Sequence, residues 1–426
     1  MSGGRRPKSR EEFELTETAI YRGAASRRVL WVVAALVLLD FLAVGFIAPL
    51  VPGMVKLLLR GSLDYGTVTG FLLALNAGLQ FLSGAFLGAL ADRFGRKPVF
   101  LLSIAGIALA NIVRGTAPDI QLFALGTVLS GTTSATTAVA LATVTDVTAP
   151  DKRASAFGLV GGATGAGFVL GPVLGGLAAH SSLRIAYICA SLISILTALL
   201  AFAFLPETHP KEKRAAFSWK RANPIGSLRL ITQTAEIGRL ALGYFILQAA
   251  IALFPACFAL FVVDRFGWDT AQVGFSVGVL AVVFLITQAV LIGPAVDRLG
   301  AQTTGVLALM VGAAGFTVLC ASQYSTPVVA ALVAIGMMVV AQPTLKATLS
   351  TRIGSDEQGE LQGALEGFSA LARVVSPLLF GALYSWVARF GHPSLLGLPF
   401  ALTAFTLIIG AVLAWRIQAR AETRES

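Results

Sequence analysis

Gly88-Ala89-Leu90-Ala91-Asp92-Arg93-Phe94-Gly95-Arg96-Lys97-Pro98 lies between two long apolar runs, and its landmarks return 205 residues later as Gly293, Asp297, Arg298 and Gly300. The same offset carries Gly158, Pro172 and Gly176 onto Gly363, Pro377 and Gly381. One register relates two separate landmarks, so the chain reads as two copies of one half.

Outward from that stretch, apolar runs recur at about 29–52, 67–91, 98–115, 121–144, 154–179, 184–204, 238–262, 272–296, 302–322, 327–349, 361–387 and 395–416, each suited to cross a hydrocarbon core of roughly 30 Å as a helix. Composition agrees. The chain is 56% hydrophobic and only 13% charged, against about 25% charged residues in soluble globular proteins. The short alternating strands of a membrane barrel are absent. The expected fold is an all-α membrane protein of two six-helix bundles, 29–204 and 238–416, joined by a polar linker, 205–237, that contains Lys211, Glu212, Lys213, Arg214, Lys220 and Arg221. Polar tails, 1–28 and 417–426, flank them, and the first is too long and mixed for a cleaved signal peptide.

The net charge of +10 is topological rather than a mark of nucleic-acid binding. With both ends inside, Lys and Arg concentrate in the cytoplasmic segments, as the positive-inside rule requires. Cys189, Cys257 and Cys320 lie far apart in apolar spans, without metal-ligand or disulfide spacing. No phosphate-cradling loop ending in Lys-Ser or Lys-Thr points to ATP. No nucleophile, base and oxyanion donor can be assembled from the spans, so the chain reads as no enzyme and as needing neither cofactor nor metal.

The run Gly88–Pro98 resembles motif A of the major facilitator superfamily. The resemblance implies a conformational latch of Gly88, Asp92, Arg93, Gly95 and Arg96, repeated at Asp297 and Arg298. Asp92 is expected to face a helix N-terminus while Arg93, Arg96 and Lys97 sit in the headgroup layer. In the fifth span Gly158, Gly167, Gly171, Pro172, Gly175 and Gly176 match the spacing of motif C of drug–proton antiporters; small residues there let helix backbones approach closely. Gly45, Pro49 and Pro52 are similar to motif D of the same twelve-helix group. The stretch from Gln288 to Gly293-Pro294 and the segment Asp356–Gly363 look like tetracycline efflux pumps. Three positions depart from that pattern: the third-span carboxylate is Asn111, the ninth-span one is Gly312, and Thr127 replaces the motif B arginine.

That leaves Asp40, mid-span, where a carboxylate costs roughly 2.5–3.5 kcal/mol to insert and normally lines a cavity. It is expected to carry the proton or accept a cationic substrate group. Arg373 in the eleventh span is expected to face the central cavity and to pair with an acid, Glu366 or Asp40, or to bind an anionic group. Lys346 and Arg114 read as side chains that snorkel to the interface. Asn111, Gln80, Gln248, Gln288 and Gln342 are candidate cavity or interhelix hydrogen bonders, with Asn111, Gln248, Gln342, Glu366 and Arg373 taken as cavity candidates. His180, His209 and His392 fall in expected loops.

The implied activity is export of an amphipathic small molecule, a drug or tetracycline-like compound, in exchange for protons by alternating access. The rival is an endogenous anionic metabolite such as a siderophore or lysolipid. The expected partners are the small molecule, protons and the lipid bilayer, with the chain a monomer in the bacterial inner membrane, both termini cytoplasmic.

Overall fold

A computed structural model of the chain describes residues 10–209, 234–354 and 357–425. Twelve helices are long and apolar enough to cross a membrane. The first six are α1 Ser26–Leu58, α2 Tyr65–Phe94, α3 Arg96–Thr116, α4 Ile120–Val147, α5 Pro150–Ser181 and α6 Leu183–Phe204. The second six are α7 Ala235–Phe266, α8 Thr270–Leu299, α9 Ala301–Ala321, α10 Thr326–Ser350, α11 Glu360–Ala388 and α12 Pro393–Trp415. They overlap the twelve expected spans one for one, and there is no strand among the described residues. Most of the linker, including Lys211 to Arg221, lies outside the described residues, as does Asp356. Two expected tails are partly helical: the helix that becomes α1 begins at Arg10, and that of α12 runs to Glu425. His180 belongs to the last turn of α5 rather than to a loop.

Large apolar side chains such as Phe202, Phe275 and Leu379 are exposed, because lipid rather than water is the solvent and only backbone groups must be satisfied within each helix. Irregular backbone is confined to short breaks. Pro49 sits in a 3-10 turn, Ala48–Leu50, of α1, and a π turn, Thr287–Leu291, precedes Pro294 in α8. Between Thr133 and Thr136, α4 is interrupted at Ser134 and Ala135.

The repeated landmarks have a geometric reason. Gly95 and Gly300 end α2 and α8 with φ of 108° and 78°, a region that side chains with a Cβ rarely adopt. Pro172 and Gly176 of α5 pack on α8: a Cβ at Gly274 would strike the Pro172 carbonyl, and one at Gly176 would lie 3.0 Å from Gly274 Cα. Pro377 and Gly381 of α11 do the same to α2, where a Cβ at Gly70 would strike the Pro377 carbonyl. Each bundle thus grips the other through an equivalent small-residue crossing.

These crossings lie toward the end of the molecule away from the 92–98 loop. At that far end Asp264 of α7 accepts hydrogen bonds from Tyr65 of α2 (2.7 Å) and Tyr384 of α11 (2.9 Å) and pairs with Lys56 of α1. Arg389 pairs with Asp64, and Thr67 N donates to Ser385 Oγ at 2.8 Å. Phe46, Leu50 and Met54 of the first bundle join one buried apolar cluster with Tyr244, Leu253 and Phe258 of the second. Val33, Leu36, Leu87, Val99 and Val144, at the 92–98 end, form a separate cluster within the first bundle. There Gly84, Gly88, Gly158, Gly161, Gly162 and Gly293 face open space. The bundles are closed together at the far end and parted at the 92–98 end.

Candidate functional site

At the 92–98 loop the charges are engaged inside the first bundle. Arg96, buried, bonds Asp146 of α4 at 3.1 Å and Asp92 at 2.7 Å. The expectation that Asp92 faces a helix N-terminus is corrected: Glu207, just past α6, takes the free backbone N–H groups of Arg96 (2.9 Å) and Lys97 (3.3 Å). A carboxylate suits those unpaired donors, and Asp92 sits instead at (i, i+4) to Arg96 on the preceding helix. Arg93 is exposed, with its guanidinium 5.2 Å from the Phe94 ring. Asp297 and Arg298 are exposed and make no ion pair among the described residues. Asp146→Ala should strip Arg96 of its α4 partner and lower stability by about 1–3 kcal/mol, read as a drop of several degrees in thermal unfolding, whereas Asp297→Ala should leave the melt unchanged.

Motif C divides by neighbour. A Cβ at Gly167 would meet Leu38 O at 2.6 Å, one at Gly171 would meet Gly45 at 2.8 Å, and Gly175 leaves no room beside Phe46 O. Three glycines therefore bind α5 to α1, where the Pro172 ring also lies against Gly45, while the Pro172 carbonyl and Gly176 turn to α8. A Cβ at Gly158 would meet no other helix within 4 Å.

A cavity of about 170 Å³ opens within the first bundle, between Ala43 and Ile47 of α1, Leu72, Asn76 and Gln80 of α2, Ile107, Asn111 and Arg114 of α3, and Thr127, Ser130 and Ser134 of α4. The α4 break is part of its wall, where Gln80 Nε2 donates to Ser134 Oγ at 2.7 Å. One turn along α1 from Val44, Asp40 is 3% exposed. Its Oδ2 accepts the Thr136 hydroxyl, just past the break, and its Oδ1 has no partner. A buried carboxylate oxygen without a donor is the exception in folded proteins and is free to take a proton. Thr136 was not legible as its partner, because the break that turns it toward α1 has no proline to announce it.

Arg114 is corrected from an interfacial side chain to a buried one, 5% exposed. It donates to Asn111 Oδ1 at 2.7 Å and to Ala110 O at 3.4 Å, with Tyr187 of α6 stacked 5.7 Å away. Gly126 of α4 makes the space: a Cβ there would lie 2.7 Å from Arg114 Cγ. That glycine was the sequence signal for the buried arginine.

In the second bundle Lys346 is half-buried and engaged by neighbouring helices. It bonds Glu366 at 3.3 Å and lies 5.7 Å from the Tyr244 ring, because α7 and α11 flank α10 there. Glu366 is therefore taken, and Arg373 forms no ion pair with it or with Asp40 among the described residues. Arg373 is exposed, yet at 3.6 residues per turn it lies roughly opposite Leu378, Leu371 and Trp386 on α11, the exposed apolar residues that face lipid. Its side is the one between Val374, near Gly78 of α2, and Ser376, which bonds Ala249 of α7. Gln248 donates to Ser369 at 2.9 Å, and Gln342 is half-buried. The structure thus gathers Asn111 with Gln80 in the first bundle and Glu366 with Lys346 in the second, with Asp40 and Arg373 each unpaired by any opposite charge among the described residues.

The pattern of the Major Facilitator Superfamily matches residues 30–237 and 240–426, one stretch per bundle. The chain is 34% identical over 375 residues to the class G tetracycline resistance protein of Vibrio anguillarum, covering 88% of this chain and 92% of that protein. It is 32% identical over 360 residues to the class C tetracycline resistance protein of Escherichia coli, covering 84% and 90%. Among solved structures, the human organic anion transporter MFSD10 is 24% identical, with a TM-score of 0.65 over 91% of this chain and 99% of that one.

Proposed function

Because this chain belongs to the Major Facilitator Superfamily, we propose that it is a secondary transporter exporting an amphipathic small molecule, a drug or tetracycline-like compound, in exchange for protons. Duplicated bundles that part at one end and close at the other suit alternating access, with the site at their interface exposed to each side in turn. The observation that carries the proton part is Asp40, buried beside the cavity with one oxygen held by Thr136 and the other bare. The resistance proteins among its relatives support a drug-like cargo over a siderophore or lysolipid. Positive-inside asymmetry supports a bacterial inner-membrane setting with the 92–98 loop and both termini in the cytoplasm. The 92–98 loop and its repeat at Asp297 and Arg298 act as the latch when that end closes.

Proteoliposomes with an imposed pH gradient test this. Tetracycline should accumulate in the compartment that supplies protons and should leak back when a protonophore collapses the gradient. Accumulation that ignores the gradient, or none at all for tetracycline and cationic dyes alike, would overturn the reading.

A further inference from the structure

A guanidinium shut away from solvent needs acceptors. Arg114 is 5% exposed in the last turn of α3, and among the described residues no carboxylate forms an ion pair with it. Asp40, the buried acid of the same bundle, bonds Thr136 instead. Removing the partner from a buried charge is strongly unfavourable, and a membrane interior makes ionisable residues costly unless they pair or line a functional cavity. Arg114 does line one, and so does Asn111, whose Oδ1 is occupied by Arg114 while its Nδ2 is buried with no acceptor. Among the described residues the arginine thus has neutral acceptors, Asn111 Oδ1 and Ala110 O, but no opposite charge, and the amide nitrogen beside it has no acceptor at all.

We propose that Arg114 and Asn111 form a subsite for a carboxylate group of the transported molecule, with the molecule's apolar body against Ile47, Leu72 and Ile107. The geometry is prepared for it. Gly126 clears the path of the arginine stem, and the Tyr187 ring backs the guanidinium. Tyr187 is itself fixed by an edge contact with Phe123 at 5.7 Å. The fork of a guanidinium matches a carboxylate in two parallel hydrogen bonds, which a lysine ammonium does not reproduce. Asn111 adds a neutral donor, so the cargo's charge is met by one full positive charge and one dipole. This rests on the transport reading above and names the chemistry of one end of its cargo.

The test is binding of 1-naphthoate and of the neutral, similarly shaped 1-naphthamide to the purified full chain in nanodiscs, followed by calorimetry. The wild type should prefer naphthoate by about tenfold or more, the discrimination of one well-placed charged contact. Arg114→Gln should erase that preference without weakening the amide, and Arg114→Lys should restore only part of it. Asn111→Leu should reduce the preference as well and serves if Arg114→Gln fails to fold, judged by size-exclusion profile. Equal binding of the two compounds by the wild type, no binding of either, or a preference that survives in folded Arg114→Gln would overturn the subsite. Tetracycline accumulation in proteoliposomes reports separately: a chain that accumulates tetracycline without preferring naphthoate loses the subsite alone, and the reverse result loses the proposed drug cargo alone.

Discussion

Asp40→Asn should abolish pH-gradient-driven accumulation of tetracycline, down to the level of protein-free liposomes, while leaving the fold and gradient-independent exchange intact. The substitution is nearly isosteric, and the asparagine oxygen can still accept the Thr136 hydroxyl that Asp40 Oδ2 accepts now. What it removes is the bare Oδ1 and with it the ability to gain and lose a proton in each cycle. A carboxyl that merely tied α1 to α4 would be replaced almost without loss by an amide. The informative comparison is therefore between driven accumulation and counterflow of labelled substrate measured on the same vesicles. Loss of the first with the second preserved marks a proton carrier; preservation of both would sink that role.

Gly70→Val should drive the molecule out of the far-end-closed arrangement. A Cβ at Gly70 would strike the Pro377 carbonyl and come within 3.3 Å of Gly381 Cα, and neither obstacle is the tip of a flexible side chain. Helices gripped backbone to backbone must separate. At about 1–3 kcal/mol for overpacking, the closed form should lose roughly 5- to 150-fold in population. Spin labels at Ser62→Cys and His392→Cys, both exposed at the far end, should report a longer distance distribution by electron–electron resonance in a background with the three cysteines replaced. Gly274→Val, the equivalent position on α8, should do the same, and Gly84→Val, which faces open space, should not. An unchanged distribution in Gly70→Val and Gly274→Val would mean that these crossings do not control closure.

Depth in the membrane was legible in the sequence; azimuth was not. The twelve helices follow from apolar run length, and the duplicated halves follow from glycine and proline positions that must repeat because a backbone contact leaves no room for a Cβ. Polar side chains obey a different constraint. Whether Lys346 runs outward to headgroups or inward to Glu366 depends on which way its helix is rolled, and hydropathy is blind to that roll. Arg114 was read as interfacial from its place near a span end, when its burial is set by Gly126 and Tyr187, residues on two other helices. Glu207 displaced Asp92 at the start of α3 for a related reason: free N–H groups take whichever carboxylate reaches them, and the end of α6 reaches further. The Asp264 hub, drawn from four helices of both bundles, had no local signature at all.

Two places where bare peptide planes meet, Pro172 over Gly274 and Pro377 over Gly70, define a line through the protein. A stiff body held at two points keeps a single rotation, so with the far end closed that line is the one about which the bundles can rock. Side chains latch both ends of it, Thr270 Oγ1 on Gly176 O at 3.4 Å and Thr67 N on Ser385 Oγ at 2.8 Å, and the ion pairs Lys56–Asp264 and Asp64–Arg389 add to their hold on the closed rim.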